Sequence, residues 1–282
     1  MNSDEVLGLL VSEGYSAGIW GFSALDQYMG YASLPFTWVE TDADIPVLAR
    51  FFEGFRFPGT DIADGALDAG GQSWYFHCLD PEESRWGPDP RWNSGTRLPS
   101  YPLLSLHQTW KTKRFQDPQG VYPLLRELRD GPPRLQSGEK AAEDPKTGDA
   151  FGEPAAPWWT GVCRGTSRYQ ALMDGALILA RYGTAYPAPP PIAKIAASLE
   201  PLPRGLPPNA EAQRVLLSSI LVSPRPDLGL ELLKAGGFLE TLWPELQLLD
   251  DVDHSKEFHP EGNVWRHTME TFRYRKTSAH NR

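Results

Sequence analysis

Three histidines and four acidic residues fall within one short stretch near the end of the sequence. They are Asp250, Asp251, Asp253, His254, Glu257, His259 and His267. Imidazole and carboxylate groups are ligands of divalent metals, and a close group of them is typical of a metal site. His267 is therefore a candidate metal ligand.

Two runs of basic residues are interleaved with aromatic residues. One holds Trp110, Lys111, Lys113, Arg114 and Phe115, and the other holds Trp265, Arg266, Phe272, Arg273, Tyr274, Arg275 and Lys276. RNA-binding grooves combine cations that pair with phosphates and rings on which bases stack. The basic residues of both runs are therefore candidate RNA contacts, against the simpler interpretation that they are solvated surface.

The composition limits what can surround these groups. The chain has 282 residues, of which 40% are hydrophobic, so it can bury a sizeable core in one large or two modest domains. Because the net charge is -9, any RNA contact must come from local basic patches. Two cysteines, Cys78 and Cys163, are too few for a disulfide framework. No apolar run approaches the roughly 20 residues of a membrane span, so we expect a cytoplasmic protein without membrane contact.

Hydrophobic periodicity predicts helices and strands in alternation along the first part of the chain. Helices are expected at 5–13, 25–31, 44–52, 169–182 and 192–199, and strands at 16–20, 36–39 and 73–79. The stretch 131–157 is rich in Gly, Pro and charge and poor in large apolar residues. We expect it to be a solvated insertion outside the core.

The segment 213–246 predicts two helices separated by prolines. An apolar stripe at helical spacing ends at Pro224 and Pro226. A second helix is expected to begin at Asp227, whose carboxylate is placed to cap it, and to end at the Gly236-Gly237 pair.

Motifs in and after this segment carry a resemblance to a known family. SPRP stands at 223–226, GLELL at 229–233 and FHPEGNVWRHT at 258–268. The first two look like the neck of bacterial tRNA nucleotidyltransferases and poly(A) polymerases, and the third resembles the opening of the HD-type metal phosphohydrolase domain that many of those enzymes carry. The resemblance implies an α+β protein. Its expected parts are a nucleotidyltransferase-like α/β head at 1–130, a flexible insertion at 131–158, an all-α neck at 159–250 and the first helix of an HD domain within 251–282.

The resemblance also implies where a nucleotide would bind. The family carries a GG-x-(V/A)-R-D loop that holds the triphosphate, and Gly21 and Asp26 match its first glycine and its aspartate. Phe22 replaces the second glycine and Leu25 replaces the arginine, so close backbone approach and charge pairing are both impaired. Asp174 lies in the helix that resembles the base-reading helix of the family. Gly21, Asp26 and Asp174 are therefore the candidate nucleotide-binding residues.

The metal-binding Asp-x-Asp of the family corresponds to Phe36 and Trp38. Two side chains at this spacing on a strand share one face, which lets two aspartates hold magnesium between them. Aromatic rings offer no oxygen ligand, so we expect no catalytic residue and no cofactor, and Phe36 and Trp38 are interpreted as core. An active head would need Mg²⁺ held by substitute carboxylates. The candidates for that role are Asp26, Glu40, Asp42 and Asp44.

In the HD family the histidine that matches His267 is a metal ligand, but a complete site also needs a later His-Asp pair. His280 is followed by Asn281, and the sequence ends at Arg282, so we expect an incomplete site. Three functions stay open. The leading one is a scaffold that binds RNA weakly, with tRNA as the RNA that the resemblance implies, or binds a protein, and that has lost nucleotidyl transfer. The alternatives are an active enzyme that extends RNA 3′ ends and a fragment of an HD phosphohydrolase.

The last predicted helix spans 264–274 and has an apolar face. Val264, Thr268, Thr271 and Phe272 lie along that face, with Trp265 and Met269 close to it. Later helices would bury this face in a whole HD domain. We expect the helix to dock near Leu242 and Leu246 or to fray, in preference to forming a dimer.

Overall fold

The computed structural model describes residues 3–59, 62–79, 99–122, 124–125, 161–163, 166–183, 191–199, 202, 207–253 and 262–275. These residues form a mixed α+β fold in which a six-stranded sheet is followed by a group of helices. The insertion predicted at 131–158 lies outside the described ranges. So do four residues of the candidate sites, namely His254, Glu257, His259 and Lys276.

A mixed sheet forms the head. Its strands are β1 (Ala17–Trp20), β2 (Phe36–Thr41), β3 (Gly65–Ala69), β4 (Gln72–Cys78), β5 (His107–Thr109) and β6 (Phe115–Gln116). Their order is β3-β4-β2-β1-β5-β6, and neighbours are antiparallel except for the parallel pair of β2 and β4. The predicted strands are confirmed as β1, β2 and β4. β5 and β6 escape prediction because strands of three and two residues carry too little periodicity.

Three helices belong to the head. They are α1 (Ser3–Ser12), α2 (Gly21–Met29) and α3 (Ile45–Phe51). Asp44 caps α3 as expected, because its carboxylate accepts a hydrogen bond from the Val47 backbone N–H at 2.8 Å. α2 starts directly after β1, earlier than the predicted position 25. This early start places Phe22 on the helix, where its side chain is buried.

The remaining helices of the described ranges follow the sheet. They are α4 (Arg168–Tyr182), α5 (Ile192–Ser198), α6 (Ala210–Val222), α7 (Pro226–Ala235), α8 (Phe238–Leu242), α9 (Pro244–Gln247) and α10 (Val264–Tyr274). Those within 159–250 lie in the range predicted as the neck, and the last lies in the range predicted as the start of an HD domain. α4 and α7 pack so closely that a Cβ on Gly229 would lie 2.8 Å from the Ala176 carbonyl oxygen. Among the helices described here, none is long and apolar enough to cross a membrane.

Asp227 does not cap α7, contrary to the prediction. The helix begins at Pro226, which suits a first helical position because its missing N–H would have no partner there. The Asp227 carboxylate lies inside the first turn and accepts hydrogen bonds from the Arg225 guanidinium at 2.9 and 2.6 Å. The predicted end is confirmed, because Gly237 has a φ of 77°.

α10 docks onto α7 and the turn at 248–250. Its most buried side chains are Trp265 and Met269, whereas Thr271 on the predicted face is exposed. The Trp265 indole N–H donates to Glu231 of α7 at 2.8 Å, and the Lys234 ammonium lies over its ring. The face of α10 that carries Trp265 therefore packs against α7, because both the indole N–H and the ring have partners on that helix.

Candidate nucleotide and RNA sites

The two positions that match Asp-x-Asp are part of the core. Phe36 and Trp38 lie on the same face of β2, and each is 4% exposed. Their ring centroids are 5.5 Å apart, and Trp38 also contacts Tyr75 at 5.1 Å and Trp20 at 5.9 Å. The face that would carry metal ligands therefore carries a packed aromatic cluster of Trp20, Phe36, Trp38 and Tyr75.

The neck closes over this aromatic cluster and leaves a cavity of only about 20 Å³. Its walls include Phe22, Phe36 and Trp38 from the head and Asp174, Leu177 and Leu216 from the neck. A cavity of this size holds little more than one water molecule, because each water needs about 10–15 Å³. Small-molecule pockets have volumes of about 300–1,000 Å³, so no nucleotide fits here without separating the head from the neck.

Gly21 adopts a left-handed backbone conformation with a φ of 59°, which favours glycine. Its backbone N–H donates to the Leu106 carbonyl oxygen at 3.2 Å. A Cβ at this position would approach nothing closer than the Leu104 carbonyl oxygen at 3.9 Å. The glycine therefore serves the turn from β1 into α2, and its N–H is already used within the protein.

Asp26 lies in the joint between head and neck, where it is 1% exposed. Its carboxylate accepts hydrogen bonds from the Arg181 guanidinium and, at 2.5 Å, from the Tyr182 hydroxyl. Arg181 also donates to the Ala32 carbonyl oxygen. Burial raises the pKa of Asp26, and Arg181 acts in the opposite direction. The carboxylate thus joins α2 to α4, and no ligand reaches it in this arrangement.

Asp174 is 2% exposed and lines the small cavity. Its carboxylate accepts a hydrogen bond from the Ser100 hydroxyl at 2.7 Å. The neighbouring Tyr101 hydroxyl donates to the Ala171 carbonyl oxygen at 3.0 Å. Gly21 and Asp174 both line a second cavity, of about 10 Å³, beside Trp38. The cleft between head and neck is thus filled by side chains.

The residues present do not fit a two-magnesium site. Asp26 pairs with Arg181, as described above, and Glu40 lies 2.8 Å from His107. The Asp42 carboxylate accepts from the Ser16 backbone N–H at 2.7 Å, and Asp44 caps α3. Each proposed substitute ligand therefore has a different protein partner. Within the described ranges, no group of three or more His, Cys, Asp or Glu side chains could hold a metal.

His267 lies on α10, where it is half-buried. Its backbone N–H donates to the Asn263 carbonyl oxygen at 3.0 Å as part of the helix. The other histidines of the candidate metal stretch lie outside the described residues. A metal at His267 therefore stays a prediction.

The two basic runs lie on different elements. Lys111, Lys113 and Arg114 are exposed in the turn between β5 and β6. The Lys113 ammonium lies over the Trp110 ring, and Lys113 has a φ of 54°. We call Lys111, Lys113 and Arg114 the basic turn.

The second run, on α10, is partly used within the protein. Arg266 and Arg273 are exposed. The Arg275 guanidinium instead donates to the Leu221 and Ser223 carbonyl oxygens at 2.8 and 2.9 Å. These carbonyls lie at the carboxyl end of α6, where a cation is favourable. Arg275 therefore holds the end of α10 against α6.

A second contact between head and neck is a group of hydrogen-bonded polar side chains that the sequence does not predict. The Arg56 guanidinium donates to both carboxylate oxygens of Glu211 on α6, at 2.8 and 2.7 Å. The Tyr75 hydroxyl donates to the same carboxylate at 3.0 Å, and Arg56 also donates to Asp68 at 3.0 Å. We call Arg56, Asp68, Tyr75 and Glu211 the polar clamp.

Contacts within the polar clamp shift the pKa values of Glu211 and Tyr75. Burial alone would raise the pKa of Glu211, but the hydrogen bonds from Arg56 and Tyr75 lower it overall. Burial and the charge of Glu211 raise the pKa of Tyr75 to about 12, so Tyr75 stays a donor at neutral pH. The clamp is therefore fully formed at neutral pH.

Comparison with known proteins gives a distant structural likeness. No protein-family model matches the chain. No curated protein matches it. A crystal structure of a tRNA nucleotidyltransferase complexed with a primer tRNA and an incoming ATP analog is similar at 12% sequence identity, with a TM-score of 0.37. The match covers 90% of this chain and 65% of that chain, so this chain spans just under two thirds of its length. At this distance the likeness carries no functional conclusion.

Proposed function

We propose that this protein is a nucleotidyltransferase-like scaffold that has lost nucleotidyl transfer and binds RNA weakly. The observation that carries the first part is the aromatic cluster at Phe36 and Trp38, closed over by the neck. Two-metal transfer needs oxygen ligands that clamp the attacking and leaving oxygens, and this face offers packed rings instead. The RNA part is supported by the exposed basic turn, and tRNA is the RNA that the sequence resemblance favours. The alternative to RNA as the partner is a protein.

The loss of transfer is tested directly with labelled ATP or CTP, magnesium and tRNA. We expect no labelled RNA from this protein under conditions in which an active tRNA nucleotidyltransferase labels the same RNA. Calorimetric titration with Mg-ATP and Mg-CTP is expected to give no heat of binding. A dissociation constant in the micromolar range, or label added to the tRNA 3′ end, would favour the alternative of an active enzyme.

The RNA part is tested by the salt dependence of binding. Each lost phosphate contact lowers the salt slope by about one unit. Reversing the charges of Lys111, Lys113 and Arg114 is therefore expected to weaken tRNA binding and to flatten its salt dependence. Arg266 and Arg273 provide the second set of charges to reverse. Binding that survives reversal of both sets would contradict the assignment of RNA contacts.

A further inference from the structure

An aromatic patch lies beside the basic turn. It consists of Tyr28 at the end of α2, Phe115 on β6 and Tyr122, a helical residue that follows β6. The Tyr28 and Phe115 rings meet edge to face at 5.3 Å, and the Tyr28 and Tyr122 rings are 5.7 Å apart at an angle of 33°. Tyr122 is 41% exposed, whereas Tyr28 and Phe115 are half-buried. Tyr122 is therefore exposed to solvent and contacts Tyr28, which in turn contacts Phe115.

Local hydrogen bonds hold Tyr122 in place. The Asp117 carboxylate accepts from the backbone N–H groups of Val121 and Tyr122, at 2.7 and 2.9 Å. Gly120, in the turn between Asp117 and Val121, has a φ of 66°, a conformation that glycine adopts without strain. These bonds fix the backbone that carries the Tyr122 ring, so less conformational freedom is lost when a flat ligand stacks on it.

The charge around the aromatic patch favours an anionic ligand. Arg114 directly precedes Phe115 in the chain, and Lys111 and Lys113 lie in the same exposed turn. Two acidic residues oppose them: Asp117, whose carboxylate is used by two backbone N–H groups, and Asp4, whose charge acts on Lys113. Three cations and two anions surround the patch, so the patch is locally basic although the net charge of the whole chain is -9.

Building on the proposed RNA-binding function, we propose that the aromatic patch binds an unpaired base of single-stranded RNA. In this arrangement Tyr122 stacks on the base, Tyr28 supports Tyr122 from behind, and Lys111 and Arg114 pair with the flanking phosphates. Bases in a duplex are already stacked on their neighbours, so an exposed protein ring selects single-stranded loops and ends. Every base has a π-face, so we expect little sequence preference.

The test compares Tyr122→Ala with Tyr122→Phe. Fluorescence anisotropy with a labelled short oligouridine measures affinity, and an RNA duplex of the same length serves as the second ligand. Loss of a base–aromatic stack is worth about 1–3 kcal/mol, so Tyr122→Ala is expected to weaken oligouridine binding about 5- to 150-fold. Tyr122→Phe keeps the ring and is expected to bind like the unchanged protein. Phe57→Ala is the matched control, because Phe57 is 62% exposed and lies in neither basic run.

Two further readings separate stacking from charge. A single strand containing 2-aminopurine is expected to lose fluorescence on binding the unchanged protein and Tyr122→Phe, and to lose less on binding Tyr122→Ala. The salt slope is expected to stay the same in Tyr122→Ala and to fall when Lys111 and Arg114 are reversed. Circular dichroism checks that the variants fold.

The outcomes distinguish this inference from the proposed function. Equal affinity for duplex and single strand, with no effect of Tyr122→Ala, would overturn base stacking while leaving RNA binding through the basic turn intact. An absence of RNA binding by the unchanged protein at low salt would overturn both. A protein partner whose binding depends on Tyr122 while oligouridine does not bind would assign the patch to protein recognition and also overturn the inference.

Discussion

Placing two aspartates at positions 36 and 38 should unfold the head instead of creating a metal site. The perturbation is the pair Phe36→Asp and Trp38→Asp, which introduces Asp-x-Asp on β2. Each side chain is 4% exposed, and both rings contact other buried rings. The change therefore removes two core side chains and puts two carboxylates in their place.

The magnitude follows from the burial of these rings. Removing a buried Phe or Trp side chain costs about 3–5 kcal/mol. The two costs do not add fully because the rings touch each other. Each new carboxylate also lies in an apolar setting without a partner, which costs several kcal/mol more. We expect a total loss of at least about 6 kcal/mol, against a total stability of about 5–15 kcal/mol for a typical domain.

Urea unfolding followed by far-ultraviolet circular dichroism measures this loss. Trp38→Ala gives the cost of the ring alone, about 3–5 kcal/mol. Tyr274→Asp, at a residue 73% exposed, is the control and should change stability by no more than about 0.5 kcal/mol. A double variant that keeps the urea midpoint of the unchanged protein and binds Mg-ATP would refute the reasoning, because it would show that the cleft opens without cost.

Three further changes probe the joints of the fold. Glu211→Gln weakens the polar clamp, and we expect a loss of about 1–2 kcal/mol at neutral pH, discounted for partial exposure. The folded-state pKa of Glu211 lies below the ordinary 4.5. The unchanged protein therefore has this stability above pH 4.5 and loses it as the pH falls through the folded-state pKa. In the variant, the urea midpoint is expected to depend less on pH over this range. Asp26→Asn leaves Arg181 buried without its charge partner, and thermal unfolding should show that the free energy of unfolding falls by about 3–5 kcal/mol. The fall should be smaller when Asp26→Asn is combined with Arg181→Met. Equal falls in the single and double variants would contradict the ion pair. Trp265→Ala should free α10, so that hydrogen exchange at 264–274 becomes fast while the sheet stays protected; unchanged exchange would show that the indole does not hold the helix.

The local elements follow from the sequence because their signals are local. Asp44 caps α3 through a backbone N–H three residues away, and the Gly236-Gly237 pair ends α7 through the backbone freedom of glycine. The α10 boundaries match the predicted 264–274. Asp227 shows the limit of such signals, because the helix begins at Pro226 and its N-cap is Arg225, two residues before the predicted cap.

At positions 36 and 38 the residue types alone predicted core rings, and the structure buries both. The roles of Gly21 and Asp26 needed the structure. The turn into α2 uses the Gly21 N–H, and the joint with α4 uses the Asp26 carboxylate.

The sequence by itself determined most helix ends and the aromatic core positions on β2, since these depend on residue types and on spacing within a few positions. The tertiary structure alone decided how the head meets the neck. Arg56 finds Glu211, and Asp26 finds Arg181, across 155 residues of chain in each case. No periodicity or motif encodes a contact at that separation, because such partners are selected by the packing of whole helices against the sheet. The same packing closed the cleft over Trp38.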